Sequence, residues 1–243
     1  MKCFSNNLVL LCLTISLSAK DKPNIIILLA DDLGWADLGY QGSGDICSPH
    51  IDKLANNGIR FTDGHVSASV CSPSRAGLMT GRYQQRFGHE ANSPPPTDGM
   101  DLKQVTMADR LQKLGYRSGL IGKWHLGNQD EFYPTRRGFD YFYGYLNTVH
   151  AHNHYPSYLW KNNIKVPLGN VVRDLPPGYA GFVGGMATKK VAYSQDRFID
   201  ESLEWVEQNR EHPFFLLLTP TIPHANPEAR KLTGNGTEVP DLG

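Results

Sequence analysis

The sequence lacks an excess of charge of either sign, and it has few cysteines and no long hydrophobic run. Its 243 residues contain 24 Lys and Arg against 24 Asp and Glu. This balance offers no basic surface for nucleic acid, so we expect no nucleic-acid partner. The apolar run Leu8–Leu17 is too short to span a membrane. With 40% hydrophobic residues, the chain is long enough to form a sizeable core.

The N-terminal apolar run has the pattern of a secretory signal peptide. We predict that residues 1–19 form it and that cleavage occurs near Ala19. A lipoprotein signal at Cys12 fits less well because the apolar run continues past it. A secreted or periplasmic location is therefore expected, or a lysosomal or extracellular one in a eukaryote. Cleavage leaves Cys47 and Cys71, which in a secreted protein either stay free or form one disulfide.

Short apolar runs and helical patterns alternate along the chain. Asn24–Ala30, Tyr116–Gly122 and Phe214–Leu218 predict parallel strands buried on both faces. Helical patterns over Thr106–Leu114 and Thr188–Gln208 precede the second and third strands. This alternation predicts an α/β fold, with a largely parallel sheet and helices on both of its faces.

The stretch between Asn128 and Gly185 shows no clear period and is rich in aromatic residues, prolines and histidines. So long an irregular stretch is typical of a functional segment or an insertion. His150, His152 and His154 lie within it. With the nearby Tyr155 and Tyr158 they line a sugar-binding cleft, or they belong to a surface loop or form an adventitious metal patch, and the pattern leaves these interpretations open.

The most informative stretch is C-S-P-S-R-A-G-L-M-T-G-R, from Cys71 to Arg82. Pro73 suits the first turn of a helix and Gly81 its end, so we expect a short helix with Cys71 at its N-terminus. A cysteine there meets unpaired backbone N–H groups and the positive end of the helix dipole, with Arg75 about one turn away. This setting favours an activated sulfur or an anion site. The alternative is a small buried cysteine beside a turn.

Polar residues follow each predicted strand. Asp31 and Asp32 follow the first, Lys123 and His125 the second, and His224 the third. Ligands of open α/β sheets bind at the carboxyl ends of the strands, so we expect these side chains at one rim. Neighbouring carboxylates repel unless a cation lies between them, and Ca²⁺ prefers such oxygen ligands. Taken one at a time, these residues have ordinary explanations. The aspartates can cap a helix, Lys123 can be a solvated surface charge, and His125 and His224 can be structural histidines.

Together these motifs resemble the formylglycine-dependent sulfatases, an arylsulfatase-like family of the alkaline phosphatase-like superfamily. C-x-P-S-R with the following L-x-T-G-R is joined by P-N-I-I-I-L-L-A-D-D-L-G (Pro23–Gly34), G-K-W-H-L-G (Gly122–Gly127) and the Pro-His of 223–224. The four motifs occur in the order of the family and span Pro23–Pro227. The resemblance implies hydrolysis of sulfate esters of a small molecule or glycan, which releases sulfate and an alcohol.

The resemblance also implies a role for each matched residue. A formylglycine-generating enzyme oxidises Cys71 to Cα-formylglycine, whose hydrated aldehyde is the nucleophile. Ca²⁺, or alternatively Mg²⁺, is ligated by Asp31, Asp32 and residue 71. The sulfo group is surrounded by Arg75, Lys123, His125 and His224. Of these, His224 or Lys123 protonates the leaving group, and His125 is the base that lets sulfate depart.

The sequence departs from the family pattern after Leu218. Family members carry two further metal ligands in an Asp-Asn or Asp-His pair, and then a lysine, and no such segment is found here. We therefore expect residues 20–243 to be the N-terminal part of a catalytic domain whose C-terminal half and small subdomain are absent, with weak or no activity alone. Two alternatives stay open: a related phosphodiesterase or phosphonate hydrolase, and a non-catalytic secreted binder of sulfated glycans.

Overall fold

The computed structural model describes residues 22–92, 99–174, 185–233, 236 and 238–240. The predicted signal peptide, residues 1–19, lies outside this part of the chain. Within the described ranges, no helix is long and apolar enough to cross a membrane.

In the described part of the chain, eight strands form two sheets. They are β1 Ile25–Leu28, β2 Arg117–Lys123, β3 Tyr141–Tyr145, β4 Tyr158–Lys161, β5 Ile164–Pro167, β6 Val171–Asp174, β7 Gly185–Lys189 and β8 Phe214–Thr219. The larger sheet has the order β1-β8-β2-β3-β4-β5, while β6 and β7 form a separate antiparallel pair. Strands β1, β8, β2 and β3 are parallel, and β4 and β5 are antiparallel additions. The prediction of a largely parallel sheet is confirmed.

Within the same described ranges, six α-helices accompany the strands. They are α1 Pro49–Asn57, α2 Cys71–Thr80, α3 Met107–Lys113, α4 Thr148–His152, α5 Ser194–Asn209 and α6 Arg230–Thr233. Short 3-10 helices lie at Gly39–Gln41, Gln84–Phe87, Asp130–Phe132 and Pro134–Arg136. A capping box starts α3, because Thr106 Oγ1 accepts from the backbone N–H of Asp109 and the Asp109 carboxylate accepts from that of Thr106.

The alternating side chains of β8 divide the core into two halves. Phe215 and Leu217 point to the face that packs against Ala76 and Met79 of α2. The intervening residues of β8, Phe214 and Leu216, belong to the opposite face, which α5 covers with two aromatic side chains, Phe198 and Trp205. Because side chains alternate across a strand, a sheet with helices on both faces needs such a continuous apolar run. The α/β fold with helices on both faces is confirmed.

The predicted burial of the first strand is wrong on one face. Ile26 and Leu28 of β1 are 57% and 54% exposed, whereas Ile25 and Ile27 are half-buried. Among the described residues β1 lies at the edge of the sheet, paired only with β8. Its outer face therefore receives no helix from this part of the chain.

Two boundaries also differ from the predictions. The helical pattern expected from Thr188 begins at Ser194, because residues Gly185–Lys189 form β7 instead. The stretch Asn128–Gly185, predicted to be irregular, contains β3 to β6 and α4. The aromatic side chains of β3 and β4 pack into the cores instead of alternating with polar ones, so the period-2 signal of a half-buried strand is absent.

Candidate active site

The ends of β1 and β2 and the start of α2 meet at the rim of the sheet. Lys123 Nζ, at the end of β2, lies 2.7 Å from Asp31 Oδ2 and 3.6 Å from Cys71 Sγ. Arg75 Nη2 lies 3.4 Å from Asp31 Oδ1, and Arg75 Nη1 donates to the backbone carbonyl of Lys123. The structure thus brings Asp31, Cys71, Arg75 and Lys123 into one contact cluster, from three segments far apart in sequence.

This cluster is buried and carries more positive than negative charge. Asp31, Arg75 and Lys123 are 4%, 5% and 0% exposed. Burial by itself raises the pKa of the Asp31 carboxyl, but the charges of Lys123 and Arg75 outweigh it and hold that pKa below its usual value. Two cations therefore face one carboxylate beside Cys71, an environment that suits a bound anion.

Helix α2 begins at Cys71, as predicted, and ends at Gly81, which adopts a left-handed φ of 64°. Gly77 allows a close approach inside the helix, because a Cβ there would lie 2.4 Å from Ser67 Oγ. Cys71 and Cys47 are both free thiols, so the alternative of a disulfide between them does not occur in the structure. Cys71 is a partly accessible thiol at the N-terminus of α2.

Asp32 and His224 form a second, more open contact. His224 Nε2 lies 3.3 Å from Asp32 Oδ2, whose side chain is 63% exposed. The segment carrying His224 runs beside the end of β1, since the Asp31 N–H donates to the Ile222 carbonyl at 3.1 Å and Asp31 bridges to Pro223. His224 therefore stands at the same rim as the first cluster.

His125 is fixed through its backbone. Its N–H donates to the Leu146 carbonyl at 3.1 Å, and its carbonyl accepts from Ser72 Oγ at 2.8 Å. The ring is 3% exposed, and neither ring nitrogen has a hydrogen-bond partner among the described residues. Burial, followed by the charges of Lys123 and Arg75, lowers the pKa of His125 well below its usual value. It is therefore a neutral imidazole that feels the charges of Lys123 and Arg75 and makes no ring hydrogen bond to Cys71.

Contacts of Ser72, His89 and Asn92 beside Cys71 were not predicted from the sequence. The Asn92 Oδ1 accepts from the Ser72 N–H at 3.0 Å, and Asn92 Nδ2 lies 4.0 Å from Cys71 Sγ. Ser72 Oγ also accepts from His89 Nε2 at 2.7 Å while it donates to the His125 carbonyl. These contacts tie the start of α2 to the loop after β2. Neither His89 nor Asn92 lies at a strand end or at a helical spacing that would have indicated it.

His152 at the end of α4 and His154 in the loop after it are buried. His152 and His154 are 7% and 2% exposed, so the surface-loop interpretation is wrong for this pair. His152 stacks on His224, with ring centroids 4.6 Å apart, and its Nδ1 lies 2.7 Å from Glu228 Oε2. Glu228 was also missed, because it lies in a segment without a clear pattern.

The residues present fit a hard divalent cation in part. Asp31, Asp32 and Cys71 border one cavity of about 230 Å³ at the rim. Carboxylate oxygens are the ligands that Ca²⁺ and Mg²⁺ prefer. However, both Asp31 oxygens already contact cationic side chains, and the described ranges contain no group of three or more His, Cys, Asp or Glu placed to hold a metal. These residues thus supply only part of a ligand set.

Comparisons with known proteins agree with this geometry. Residues 23–242 match the family model described as Sulfatase. Arylsulfatase G of Homo sapiens is 48% identical over 124 residues, which cover 51% of this chain and 24% of that protein. N-acetylgalactosamine-6-sulfatase of Homo sapiens is 33% identical over 223 residues, or 88% of this chain and 42% of that protein.

A solved structure gives the same result. The crystal structure of Ps i-CgsB superposes with a TM-score of 0.70 at 32% identity and covers 90% of this chain and 50% of that one. A second crystal structure of it, in complex with k-i-k-neocarrahexaose, has a TM-score of 0.66. The chain spans half or less of the length of these relatives. From the match over residues 23–242 and the shared fold, we conclude that the chain belongs to the sulfatase family.

Proposed function

We propose that the protein hydrolyses sulfate esters at position 71, releasing sulfate and an alcohol. One observation carries this proposal. Cys71 Sγ lies at the N-terminus of α2, 3.6 Å from Lys123 Nζ, which itself contacts Asp31. The positive end of the α2 dipole and the ammonium group of Lys123 together favour negative charge at and around residue 71. Such a site suits an oxygen nucleophile that attacks an anionic sulfate.

The nucleophile that we propose is a hydrated Cα-formylglycine, formed from Cys71 by a formylglycine-generating enzyme. Two hydroxyls on one carbon allow one to attack sulfur and the other to release the sulfate afterwards. A serine in the same place lacks the second hydroxyl. The partly accessible position of Cys71 at the cavity edge is consistent with this role.

The surrounding side chains have complementary roles in the proposal. Arg75 and Lys123 counter the negative charge of the sulfo group as the S–O bond breaks. His224 protonates the departing alcohol oxygen, because its Nε2 is directed to the open side of the rim. His125 is the base, since a buried neutral imidazole with unpartnered nitrogens can accept a proton.

A divalent cation belongs to the same proposal. Asp31, Asp32 and residue 71 would hold Ca²⁺, or alternatively Mg²⁺, together with further ligands. When bound, such a cation acts as a Lewis acid on sulfate oxygens. Asp32 is the more available carboxylate, because Asp31 is occupied by Lys123 and Arg75.

The substrate that we propose is a sulfated sugar or a small aryl sulfate. The name of one relative and the oligosaccharide in the crystal of another favour a sugar. We also propose that residues 20–243 are the N-terminal part of the catalytic domain and that the protein is secreted, periplasmic or lysosomal, because residues 1–19 have the pattern of a signal peptide.

The experiment that tests the proposal is peptide mass spectrometry after expression with and without a formylglycine-generating enzyme. We expect the mass of formylglycine at position 71 only with that enzyme, while the exposed Cys47 stays a thiol and provides an internal control. Turnover of matched aryl sulfate and phosphate esters is then measured, with Cys71→Ala as the inactive variant. Unconverted Cys71 with retained glycan binding would favour a non-catalytic binder, and preferred phosphate turnover would favour a phosphodiesterase.

A further inference from the structure

A buried histidine–carboxylate pair lies behind the candidate site and has no part in the function proposed above. His152 Nδ1 donates to Glu228 Oε2 at 2.7 Å, and His152 Nε2 lies 3.1 Å from Thr148 Oγ1. The His152 and Glu228 side chains are only 9% and 6% exposed. Since the carboxylate takes the Nδ1–H, the Thr148 hydroxyl donates to Nε2. Both ring nitrogens are thereby bonded, and the orientation of the ring is fixed.

The fixed ring of His152 supports the ring of His224. The two centroids lie 4.6 Å apart, and the ring planes differ by 16°. His224 Nδ1 donates to the Ala225 carbonyl at 2.5 Å, so its remaining nitrogen, Nε2, is the one that reaches Asp32 at the open rim. His224 is therefore held on one ring face by His152 and at one nitrogen by the backbone.

The charges of the pair suit this arrangement. Burial lowers the pKa of His152, although the bond to Glu228 acts in the opposite direction. Burial raises the pKa of Glu228, but its bond to His152 outweighs this and lowers it, so the carboxyl stays ionised. A neutral ring of His152 places no positive charge against the face of the His224 ring.

We propose that His152, held by Glu228 and Thr148, is a positioning residue that aligns His224 Nε2 with the oxygen of the leaving alcohol. This rests on the proposed function, in which His224 is the proton donor. As the S–O bond breaks, its electron pair stays on the alcohol oxygen, and the proton moves to that oxygen from His224 Nε2. The ring of His224 is left neutral. A displaced ring delivers the proton poorly, which matters most for alcohols that are poor leaving groups.

The first arm of the test observes the position of His224 without requiring turnover. The ring nitrogens of ¹⁵N-histidine-labelled protein are compared by NMR in the original protein and in His152→Ala, His152→Phe and Glu228→Gln. We expect the His224 signals to shift and broaden in His152→Ala. They should change less in His152→Phe, which keeps an aromatic ring, and least in Glu228→Gln, which keeps a hydrogen bond. His212→Ala is the control, because His212 is exposed.

The second arm measures the chemical consequence in a protein that carries the complete catalytic domain and is converted to formylglycine at position 71. For His152→Ala, we expect kcat on phenyl sulfate to fall about tenfold or more, since a general acid contributes roughly 10²–10⁴-fold. On 4-nitrophenyl sulfate, whose leaving group needs little protonation, kcat should change far less, and KM should stay the same for both esters. His152→Phe should recover part of the loss, which a purely structural role does not predict.

The outcomes separate this inference from the proposed function. Unchanged His224 signals in His152→Ala would overturn the positioning role, whether or not the protein hydrolyses sulfate esters. Equal loss of kcat for the two esters would overturn the link to the leaving group. A complete lack of sulfatase turnover by the converted, unsubstituted protein with its complete catalytic domain would count against the proposed function, and the NMR arm would still decide whether His152 positions His224.

Discussion

Asp31 and Asp32 are neighbours in sequence and lie in opposite environments. Asp31 is 4% exposed and contacts Lys123 at 2.7 Å and Arg75 at 3.4 Å. Asp32 adopts a left-handed φ of 60°, its side chain is 63% exposed, and it contacts His224 at 3.3 Å. The backbone turn at Asp32 sends the second carboxylate out of the sheet toward the open rim.

This difference separates the two tasks of the site. Around Asp31, two cationic side chains, from α2 and from the end of β2, pair with one carboxylate away from water, so their loss should lower the stability of the fold as well as any activity. Around Asp32, an open carboxylate and a histidine can exchange partners, so their loss should be felt mainly in binding. The following predictions test this separation, from the largest expected effect on stability to the smallest.

The largest loss of stability is expected from Gly122→Ala, just before Lys123. Gly122 has a φ of 116°, and a Cβ there would lie 2.0 Å from the Thr219 carbonyl oxygen of the neighbouring strand. Because the backbone of β8 cannot move away, we expect the free energy of unfolding to fall by about 3 kcal/mol or more. Urea denaturation measures this. Gly44→Ala is the control, since a Cβ at Gly44 meets no atom within 4 Å; equal midpoints for the two variants would contradict the prediction.

Lys123→Met should be the next most costly change. It leaves the buried Asp31 carboxylate with Arg75 alone at 3.4 Å, and breaking a buried ion pair costs about 3–5 kcal/mol. The matched control is Lys161→Met, which breaks an ion pair to Glu201 of similar length, 2.9 Å, but with a lysine side chain that is 46% exposed. For Lys161→Met we expect the free energy of unfolding to fall by only about 0–1 kcal/mol. Denaturant unfolding measures both variants. Similar losses of unfolding free energy would show that burial does not determine how much the Asp31 cluster contributes to stability.

The sequence was sufficient to predict how the Asp31 cluster assembles. Apolar runs give the positions of β1, β2 and β8, and parallel strands end at a common rim, so the polar residues that follow them were expected to meet. Lys123 and Asp31 do meet, although 92 residues separate them. The start of α2 at Cys71 could be predicted for a similar reason, because Pro73 and Gly81 are local signals that tertiary packing does not override.

The rest of the site depends on contacts that leave no local signal. The environments of Asp31 and Asp32 differ through a backbone turn and through the partners that each reaches, which adjacent identical residues cannot reveal. His152 and Glu228 meet across 76 residues, and neither follows a predicted strand. The exposed face of β1 was missed for another reason: the run Ile25–Leu28 is fully aliphatic, and such a run does not tell an edge strand from a central one.

The contrast between enclosed and open groups extends to the histidines. Burial lowers the pKa of His150 to about 4, and its ring lies between Tyr145 and Tyr158 at centroid distances of 4.9 and 4.5 Å. The unfolded chain, with a histidine pKa of about 6.5, binds the proton first as the pH falls. The stability that neutral His150 contributes is therefore complete above about pH 6.5 and is lost progressively down to about pH 4.

His150→Phe should weaken this pH dependence. Between pH 7.5 and 5, we expect the original protein to lose about 2 kcal/mol of unfolding free energy through His150, and the variant to lack that part of the loss. Denaturant unfolding at the two pH values measures the difference. His212→Phe, at an exposed histidine, should keep the original slope. Identical slopes for all three proteins would mean that His150 takes up its proton in the folded state.

Asp32→Asn should affect stability least, and it examines the open half of the site directly. Because the side chain is largely exposed, we expect the free energy of unfolding to change by no more than about 0.5 kcal/mol. Calcium affinity, measured by calorimetry, should nevertheless fall by about tenfold or more, since each lost carboxylate charge weakens a Ca²⁺ site. Asp63→Asn serves as the control for an exposed aspartate paired with a histidine, here His65 at 2.7 Å, and should leave calcium binding unchanged. A large loss of stability in Asp32→Asn with unchanged calcium binding would reverse the assignment of the two aspartates. Asp32 would then stabilise the fold, and the enclosed Asp31 would have to be the accessible calcium ligand.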